Sequence, residues 1–502
     1  MTYILDRFEG DVAVLVPRDG AAINLKGRHA EGLHVGDVLT VGEDGVPHLQ
    51  KGAAADRRQI TSTRFSRLVK KKNNNSYNER KIPMKTKAVR LYGVNDLRLE
   101  EFELPEIADD EILAEVISDS ICMSSHKAAM QGAGHKRVPD DCATNPIIIG
   151  HEFCGIIRQV GKKWQDKFIP GEKFSIQPAH NRNGSLNAPG YSYKYCGGDA
   201  TYVIIPADTL ECDCLLKYSG DAFFYGSLAE PMSCVIGGAH ANYHTTGGSY
   251  VHKMGIKQGG AAAILAGAGP MGLGCIDYLI NADLRPSLLI VTDIDGARLA
   301  RAAEILPVEK AEKNGVKLMY VNTANFDDPI AYMKKFAPAG FDDVFVFAPV
   351  RPVVEMGDAL LGKDGCLNFF AGPTKTDFSA MFNFYNVHYA STHIVGTSGG
   401  NTDDMREALS MMEKGLINPA AMITHICGLD SVAETTIDLD KIPGGKKLCY
   451  TGISLPLTAI ADFAELGKND PMFAELAKLC DAAGGLWCVE AEKYLLANAK
   501  KI

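Results

Sequence analysis

Three short stretches of the chain hold side chains able to bind a metal ion or move a proton. SDSICMSSHK contains Cys122 and Ser124, NPIIIGHEFCGII contains the adjacent His151 and Glu152, and SLAEPMSCVIGG contains Glu230. A thiolate, an imidazole and carboxylates are the donor types of a catalytic zinc site, which keeps a coordination position open for substrate or water. Taken singly, each has a plainer reading: Cys122 as a small buried hydrophobe, His151 as a satisfied core histidine, Glu230 as a carboxylate at a helix start. A fourth stretch, AAAILAGAGPMGLGCIDYLI, is an apolar strand, then Gly267-Ala268-Gly269-Pro270-Met271-Gly272, then a helix. In such a turn the first glycine permits the bend and the second lets the backbone approach a pyrophosphate. The third lets the helix lie close on the strand, and the helix N-terminus receives the anionic charge. The next strand, SLLIVTDID, carries Asp293 about twenty residues further on, where a carboxylate accepts the ribose hydroxyls of NAD and repels the 2′-phosphate of NADP. NAD(H) is therefore favoured, while Arg298 and Arg301 nearby keep NADP(H) open. Together and in this order, upstream of a dinucleotide turn, the four candidate ligands read as one metal site.

Other elements must position these groups. From Met84 to about Tyr450 strands and helices alternate, and GFDDVFVFAP and GCLNFFAGP supply further buried strands of an open parallel sheet. Over the last fifty residues apolar positions recur every three or four, a helical tail that covers a core face or builds a subunit contact. Residues 1–52 read as a small β-rich module, its runs YILDRF, VAVLVP, AAINL and VLTVG separated by EGD, RDG and EDG turns. Residues 53–83, with KKK followed by NNN, are polar and basic and have no apolar face to bury, which predicts a solvated, disordered linker. Met84 then opens KTKAVRLYGV like a fresh protein start, so a fusion of two units is expected.

Composition narrows the function classes. The chain has 502 residues, too many for one ordinary core, with 46% apolar and 23% charged residues, as in globular domains. A net charge of −9 argues against a partner as acidic as nucleic acid. Thirteen scattered cysteines without a CxxC pair fit reduced thiols better than a disulfide scaffold. The charged N-terminus lacks a signal peptide's apolar core, and glycine and charge interrupt every apolar run before it reaches membrane-spanning length. No membrane contact and a cytoplasmic location are expected.

The set GHE, EPM, GAGPMG and VTDID, with GGDATYVIIPAD at 197–208, resembles the zinc-dependent medium-chain dehydrogenases of the sorbitol dehydrogenase type over about 84–450. PGYSYKYCGGDATYVIIP, HANYHTT, FNFYNVHYASTHIVGTSGG and LPLTAIADFAELGKNDP resemble a narrower group, the bacterial L-sorbose-1-phosphate reductases and their sugar-phosphate dehydrogenase relatives. The resemblance implies an α/β fold: a GroES-like β-rich catalytic domain at 84–235 and 400–450 around an inserted Rossmann NAD-binding domain at 236–399. A helical extension follows at 451–502. It implies that Cys122, His151 and Glu152 hold zinc, that Glu230 binds it directly or through water, and that Ser124 passes a proton between substrate and solvent. Two departures stand out. Ser125 occupies the place of an aspartate that orients the ligand histidine, so that support must come from elsewhere or be weaker. The four-cysteine structural-zinc loop is missing, with one cysteine in QPAHNRNGSLNAPGYSYKYC, so one catalytic zinc and no structural zinc are expected. A homodimer or homotetramer is expected.

The two sites together imply hydride transfer between NAD(H) and a carbonyl polarised by zinc, with Ser124 relaying the proton, onward through Lys127 or through His126, the latter read as a surface residue. A sugar phosphate needs cationic partners. Lys136 and Arg137 in QGAGHKRVPDD are the candidate clamp, with His135 secondary and Lys253 weaker; the alternative is a solvated charged loop. Three functions stay open: a reductase giving a hexitol phosphate from a ketose phosphate such as L-sorbose 1-phosphate, a dehydrogenase of unphosphorylated polyols or other secondary alcohols, and a non-catalytic nucleotide-binding protein.

Overall fold

The computed structural model describes residues 84–502 apart from 181–183 and 248, together with five strands within the first 49 residues. The chain divides between Ile82 and Pro83 into two units. In the first, Thr2–Glu9, Val12–Pro17, Ile23–Lys26, Val38–Val41 and Pro47–Leu49 form one antiparallel sheet with Thr2–Glu9 at its centre. The linker expected over 53–83 lies outside the described residues.

The second unit is built on two large sheets, with a three-stranded and a two-stranded sheet beside them among the described residues. The first is organised around Ile112–Ile121, whose residues are buried at eight of ten positions. Phe153–Val160 pairs antiparallel on one side of it and Lys446–Tyr450 antiparallel on the other, so residues more than 300 positions apart become neighbours. Ile423–Gly428 extends the same sheet beyond Lys446–Tyr450. Helix α1, Met123–Gln131, begins immediately after the central strand. Helix α2, Phe223–Ala241, has fourteen of its nineteen residues buried, which is why its composition is apolar and small on every face. A Cβ at Gly226 would meet Cys154 Sγ at 2.3 Å, so only glycine lets α2 lie this close to the sheet.

The second sheet is six-stranded and parallel, in the order Lys317–Asn322, Leu288–Asp293, Ala261–Leu265, Phe341–Val346, Leu361–Phe369, His393–Val395. Its strands are near-continuous apolar runs because helices cover both faces. Helix α3, Pro270–Asn281, follows the glycine turn, and helix α4, Thr402–Glu413, packs along α2. One continuous core joins the two sheets: Cys154 and Leu216 from the first, Met232 and Ile236 from α2, Leu273 from α3, and Ala262 and Leu289 from the second.

The tail belongs to the core. Phe463, Leu476, Trp487 and Leu495 pack with Phe224, Leu448 and Tyr450. On helix α5, Val489–Asn498, the buried Glu492 accepts the backbone N–H of Phe223 at 2.6 Å and of Phe224 at 2.9 Å. The same carboxylate accepts the Tyr450 hydroxyl at 2.8 Å, and Trp487 Nε1 donates to that hydroxyl at 2.7 Å. The residue before α2, Ala222, has no side chain with which to cap it, so Glu492 does so from 269 residues away. Of the two roles expected for the tail, covering a core face is the one seen.

The opposite end of α2 carries a charged node. His240 contacts Asp404 at 2.8 Å and Glu407 at 3.3 Å on α4, and Tyr278 on α3 donates to Glu407 at 2.9 Å and meets His240 at 3.3 Å. Hydrogen bonds to Asp404 and Glu407 raise the imidazole to about 9. That is above its unfolded value of about 6.5, so its stabilisation is complete below pH 6.5 and disappears as pH rises through about 9. His240→Gln is expected to lower Tm most at pH 6, with the difference from the parent chain closing by about pH 10; thermal melts across that range check it.

Candidate active site

Cys122 ends the central strand of the first sheet and caps α1: its backbone is extended, at φ −115° and ψ 148°, and its Sγ accepts the Ser124 N–H at 3.5 Å. His151 and Glu152 arrive beside it because Phe153 pairs with Asp119 across the sheet. Gly150, at φ +88°, makes the turn that delivers them, where a Cβ would meet the Asp199 backbone nitrogen at 2.6 Å. The ligand atoms of Cys122, His151 and Glu152 all lie within 4.8 Å of one another. His151 is 4% exposed and Glu152 1%. Ser125 Oγ sits 3.1 Å from His151 Nδ1, so orientation of the ligand imidazole comes from Ser125 itself, a neutral hydroxyl where the resemblance implied a carboxylate. Nε2 faces the group, 4.0 Å from Glu152 Oε1.

The electrostatics favour a cation. Burial and the Glu152 charge push the Cys122 thiol up to about 12, and burial draws His151 down to about 4, leaving a neutral imidazole with a lone pair to give. Burial opposes ionisation of Glu152, but the charge and hydrogen bonds of Lys446 outweigh it and hold the carboxylate below its usual range. Lys446 Nζ lies 2.5 and 2.6 Å from the two Glu152 oxygens, and both side chains are buried. A thiol that ionises only beside added positive charge, a neutral imidazole and a carboxylate suit a zinc ion, and Cys122, His151 and Glu152 are the residues that would hold it. Glu230 does not join these three. It lies on α2 with its Oε1 accepting the Cys234 thiol at 3.6 Å, and burial together with Glu152 raises its carboxyl to about 8. It acts on the group through charge. Beneath Glu152, Asp119 Oδ1 accepts the Glu152 N–H at 3.0 Å. Asp119 Oδ2 and Asp199 Oδ1 are buried with no donor among the described residues, and burial raises Asp199 to about 8.

The glycine turn lies on the other sheet. A Cβ at Gly272 would fall 2.0 Å from Gly267 O, and one at Gly267 would fall 2.4 Å from Ile264 Cγ2. At Gly269 a Cβ would meet nothing within 4 Å, which leaves room before the α3 N-terminus where Pro270 and Met271 begin the helix. Asp293 Oδ2 accepts the Ala268 N–H at 3.2 Å, so the carboxylate closes on the turn itself. Arg301 donates to the Ala421 carbonyl at 3.4 Å and Arg298 pairs with Asp295 at 3.5 Å; both are engaged away from Asp293.

The remaining candidates divide. Ser124 is exposed on the first turn of α1, within hydrogen-bonding reach of Tyr191. His126, expected at the surface, is buried with Nδ1 2.9 Å from Thr436 O, because its face of α1 packs on the helix Val432–Ile437. Lys127 reaches the Gly372 carbonyl at 3.0 Å. Lys136 is exposed, Arg137 donates to Leu186 O at 2.8 Å, and the Arg137 charge is felt at both His151 and His180. Lys253 lies on an exposed hairpin strand, His252–Met254, that pairs with Tyr243–Thr245. Over the stretch where the resemblance implied a four-cysteine loop, polar ties hold the segment: Tyr193 donates to Asp208, and His180 Nε2 meets Thr209 Oγ1 at 2.9 Å. Lys446 and Tyr191 went unread in sequence. GGKKLCY has no local feature marking one lysine as buried, and Tyr191 looks like one of three tyrosines in a loop.

Family models match the chain in two places: the alcohol dehydrogenase GroES-like domain over residues 108–212 and the zinc-binding dehydrogenase over 275–414. The chain is 56% identical to protein YggP of Escherichia coli K12 over 83% of its length and 98% of the relative's. It is 51% identical to the mannitol-1-phosphate 5-dehydrogenase of Aliivibrio fischeri (82% and 97%) and 51% identical to the L-sorbose 1-phosphate reductase of Klebsiella pneumoniae (83% and 98%). Among solved structures, the 2R,3R-butanediol dehydrogenase of Bacillus subtilis shares the fold at 21% identity, with a TM-score of 0.58 over 73% of this chain and 99% of that one. Among the described residues no helix is long and apolar enough to cross a membrane. Identity above one half, running across more than four-fifths of the chain and nearly all of each relative, means that the chain belongs to the zinc-binding alcohol dehydrogenases, oxidoreductases that pair a GroES-like domain with a Rossmann domain for NAD(P).

Proposed function

We propose that this chain interconverts a ketose phosphate, such as L-sorbose 1-phosphate, and a hexitol phosphate, using NAD(H) and one zinc ion per chain. The observation that carries the reading is the convergence of Cys122, His151 and Glu152 ligand atoms within 4.8 Å, with the Arg137 charge felt at His151. Two relatives that match at 51% are named for phosphorylated six-carbon sugars, which supports a phosphate on the substrate.

When bound, zinc supplies Lewis acidity to the substrate oxygen, and NADH supplies the hydride. The chain does the rest. Cys122, His151 and Glu152 hold the metal, with Ser125 orienting the imidazole and Lys446 balancing the carboxylate. Ser124 passes the proton between substrate oxygen and solvent. The Gly267–Gly272 turn and the α3 N-terminus take the pyrophosphate, and Asp293 takes the ribose. Lys136 and Arg137 bind the sugar phosphate, a remote group whose binding energy helps set the carbonyl at the metal.

Cys122→Ser is expected to remove zinc and nearly all turnover while leaving NADH affinity unchanged, since the glycine turn lies on another sheet; metal analysis and fluorescence titration check both halves. A preparation carrying two zinc ions per chain would contradict the single site. Replacing both Lys136 and Arg137 with alanine should lower kcat/KM on a ketose phosphate by roughly 30-fold or more, and much less on the same ketose without phosphate. Equal losses, or a parent chain faster on the unphosphorylated ketose, would remove phosphate from the reading. Asp293→Ala should narrow the preference for NADH over NADPH, because the repulsion that excludes the 2′-phosphate is lost; kcat/KM for the two cofactors, measured in parallel, decides.

A further inference from the structure

Tyr191 is a buried phenol at the edge of the metal group, and no step described so far uses it. It is 6% exposed, and its hydroxyl lies 3.2 Å from His151 Nε2. Its ring tilts against His151 at a centroid distance of 4.8 Å and stacks on His135 at 5.6 Å and 15°. The backbone fixes this placement. Gly190 stands at φ +79° and donates to Cys196 O at 3.0 Å, and a Cβ there would sit 2.0 Å from Gly150 O. The loop therefore presses directly against the turn that delivers His151, and Tyr191, the next residue, has little freedom to leave.

Donor accounting gives this residue a task. The phenol O–H and the Nε2 lone pair satisfy each other only while Nε2 is free, because Ser125 already occupies Nδ1. A cation on Nε2 takes that lone pair, and a buried O–H is left in need of an acceptor. The nearby carboxylates already have donors: both Glu152 oxygens hold Lys446, and Glu230 Oε1 holds the Cys234 thiol. The neighbouring hydroxyl, Ser124, serves the reacting oxygen. An oxygen brought in by the substrate, beside Ser124, is an acceptor that this O–H can take. Two hydroxyls side by side, Ser124 and Tyr191, match two oxygens on adjacent carbons, the one that reacts and its neighbour.

We infer that Tyr191 is a substrate-binding residue, its O–H donating to the substrate oxygen on the carbon next to the reacting one. This gives the site a preference for vicinal oxygens over an isolated ketone or alcohol, and it rests on the polyol reading above.

The test uses the full chain, zinc-loaded, with NADH and the alcohol product, a pair that cannot react and so reports binding alone. The affinities of a hexitol phosphate, and of its analogues deoxygenated at one or the other neighbour of the reacting carbon, are measured by calorimetry for the parent chain and for Tyr191→Phe. The variant should melt normally and keep its zinc against a chelator. It should bind NADH unchanged and bind the hexitol phosphate roughly 10-fold more weakly, while losing nothing further on one of the deoxy analogues. Equal weakening on every analogue, or none on any, overturns the proposal, as does a fall in zinc retention, which would make the phenol a metal-holding group instead. If the parent chain holds zinc and NADH yet binds no hexitol phosphate, the polyol reading falls and this inference with it.

Discussion

Lys446 carries a buried ammonium group into a space it shares with the half-buried Cys122 thiol and the buried carboxyl groups of Glu152 and Glu230. Unpaired charges in such a place cost several kcal/mol each, so the arrangement holds only if positive and negative groups arrive together. They come from separate parts of the chain: Cys122 from the end of one strand, Glu152 from the start of its neighbour, and Lys446 from the start of the strand on the other side. Strand order in the first sheet is therefore also the charge plan of the site. A dication entering beside Cys122 supplies the added positive charge that lets the thiol ionise.

Helix α2 ties this centre to the rest of the chain through three polar anchors. Glu492 caps its start, Glu230 on its middle turns faces the metal group, and His240 near its end holds Asp404 and Glu407. Between these anchors its small residues let both sheets pack against it in one continuous core. The side chains proposed to hold metal and the glycine turn proposed to hold nucleotide lie on different sheets, yet they are referred to one common helix. A shift of α2 would move Glu230 and disturb the floor of α3 in the same motion.

How much of this could be read in sequence depended on how local each signal was. His151 and Glu152 are adjacent, Cys122 and Glu230 stand in order around them, and the glycine turn with Asp293 falls within one strand–helix–strand unit, so spacing marked the candidate groups, while the family resemblance implied the two domains. Lys446 meets Glu152 across 294 residues and Glu492 meets Phe223 across 269, and no local pattern encodes either contact. Glu230, read as binding zinc directly or through water, stands outside the three-residue cluster of Cys122, His151 and Glu152, with its Oε1 accepting the Cys234 thiol one helical turn on in α2. His126 was taken for a surface residue because the helix that covers it comes from residues 432–437, a partner that the periodicity of α1 does not reveal.

The carboxylate of Glu492 has a consequence for how the chain comes into being. Synthesis runs from the N-terminus at about 5–20 residues per second, so α2 emerges on the order of tens of seconds before the helix that caps it. During that interval the first N–H groups of α2 have only water as partner, and the face later covered by Trp487 and Leu495 stays open. Lys446 is also late, so Glu152 waits without its counter-charge. A nascent chain can complete its nucleotide-binding sheet well before its metal-binding one. Assembly of the metal centre is thereby coupled to the last stretch of translation, and a ribosome that stalls before Lys446 leaves a nucleotide fold without the means to balance its buried acids.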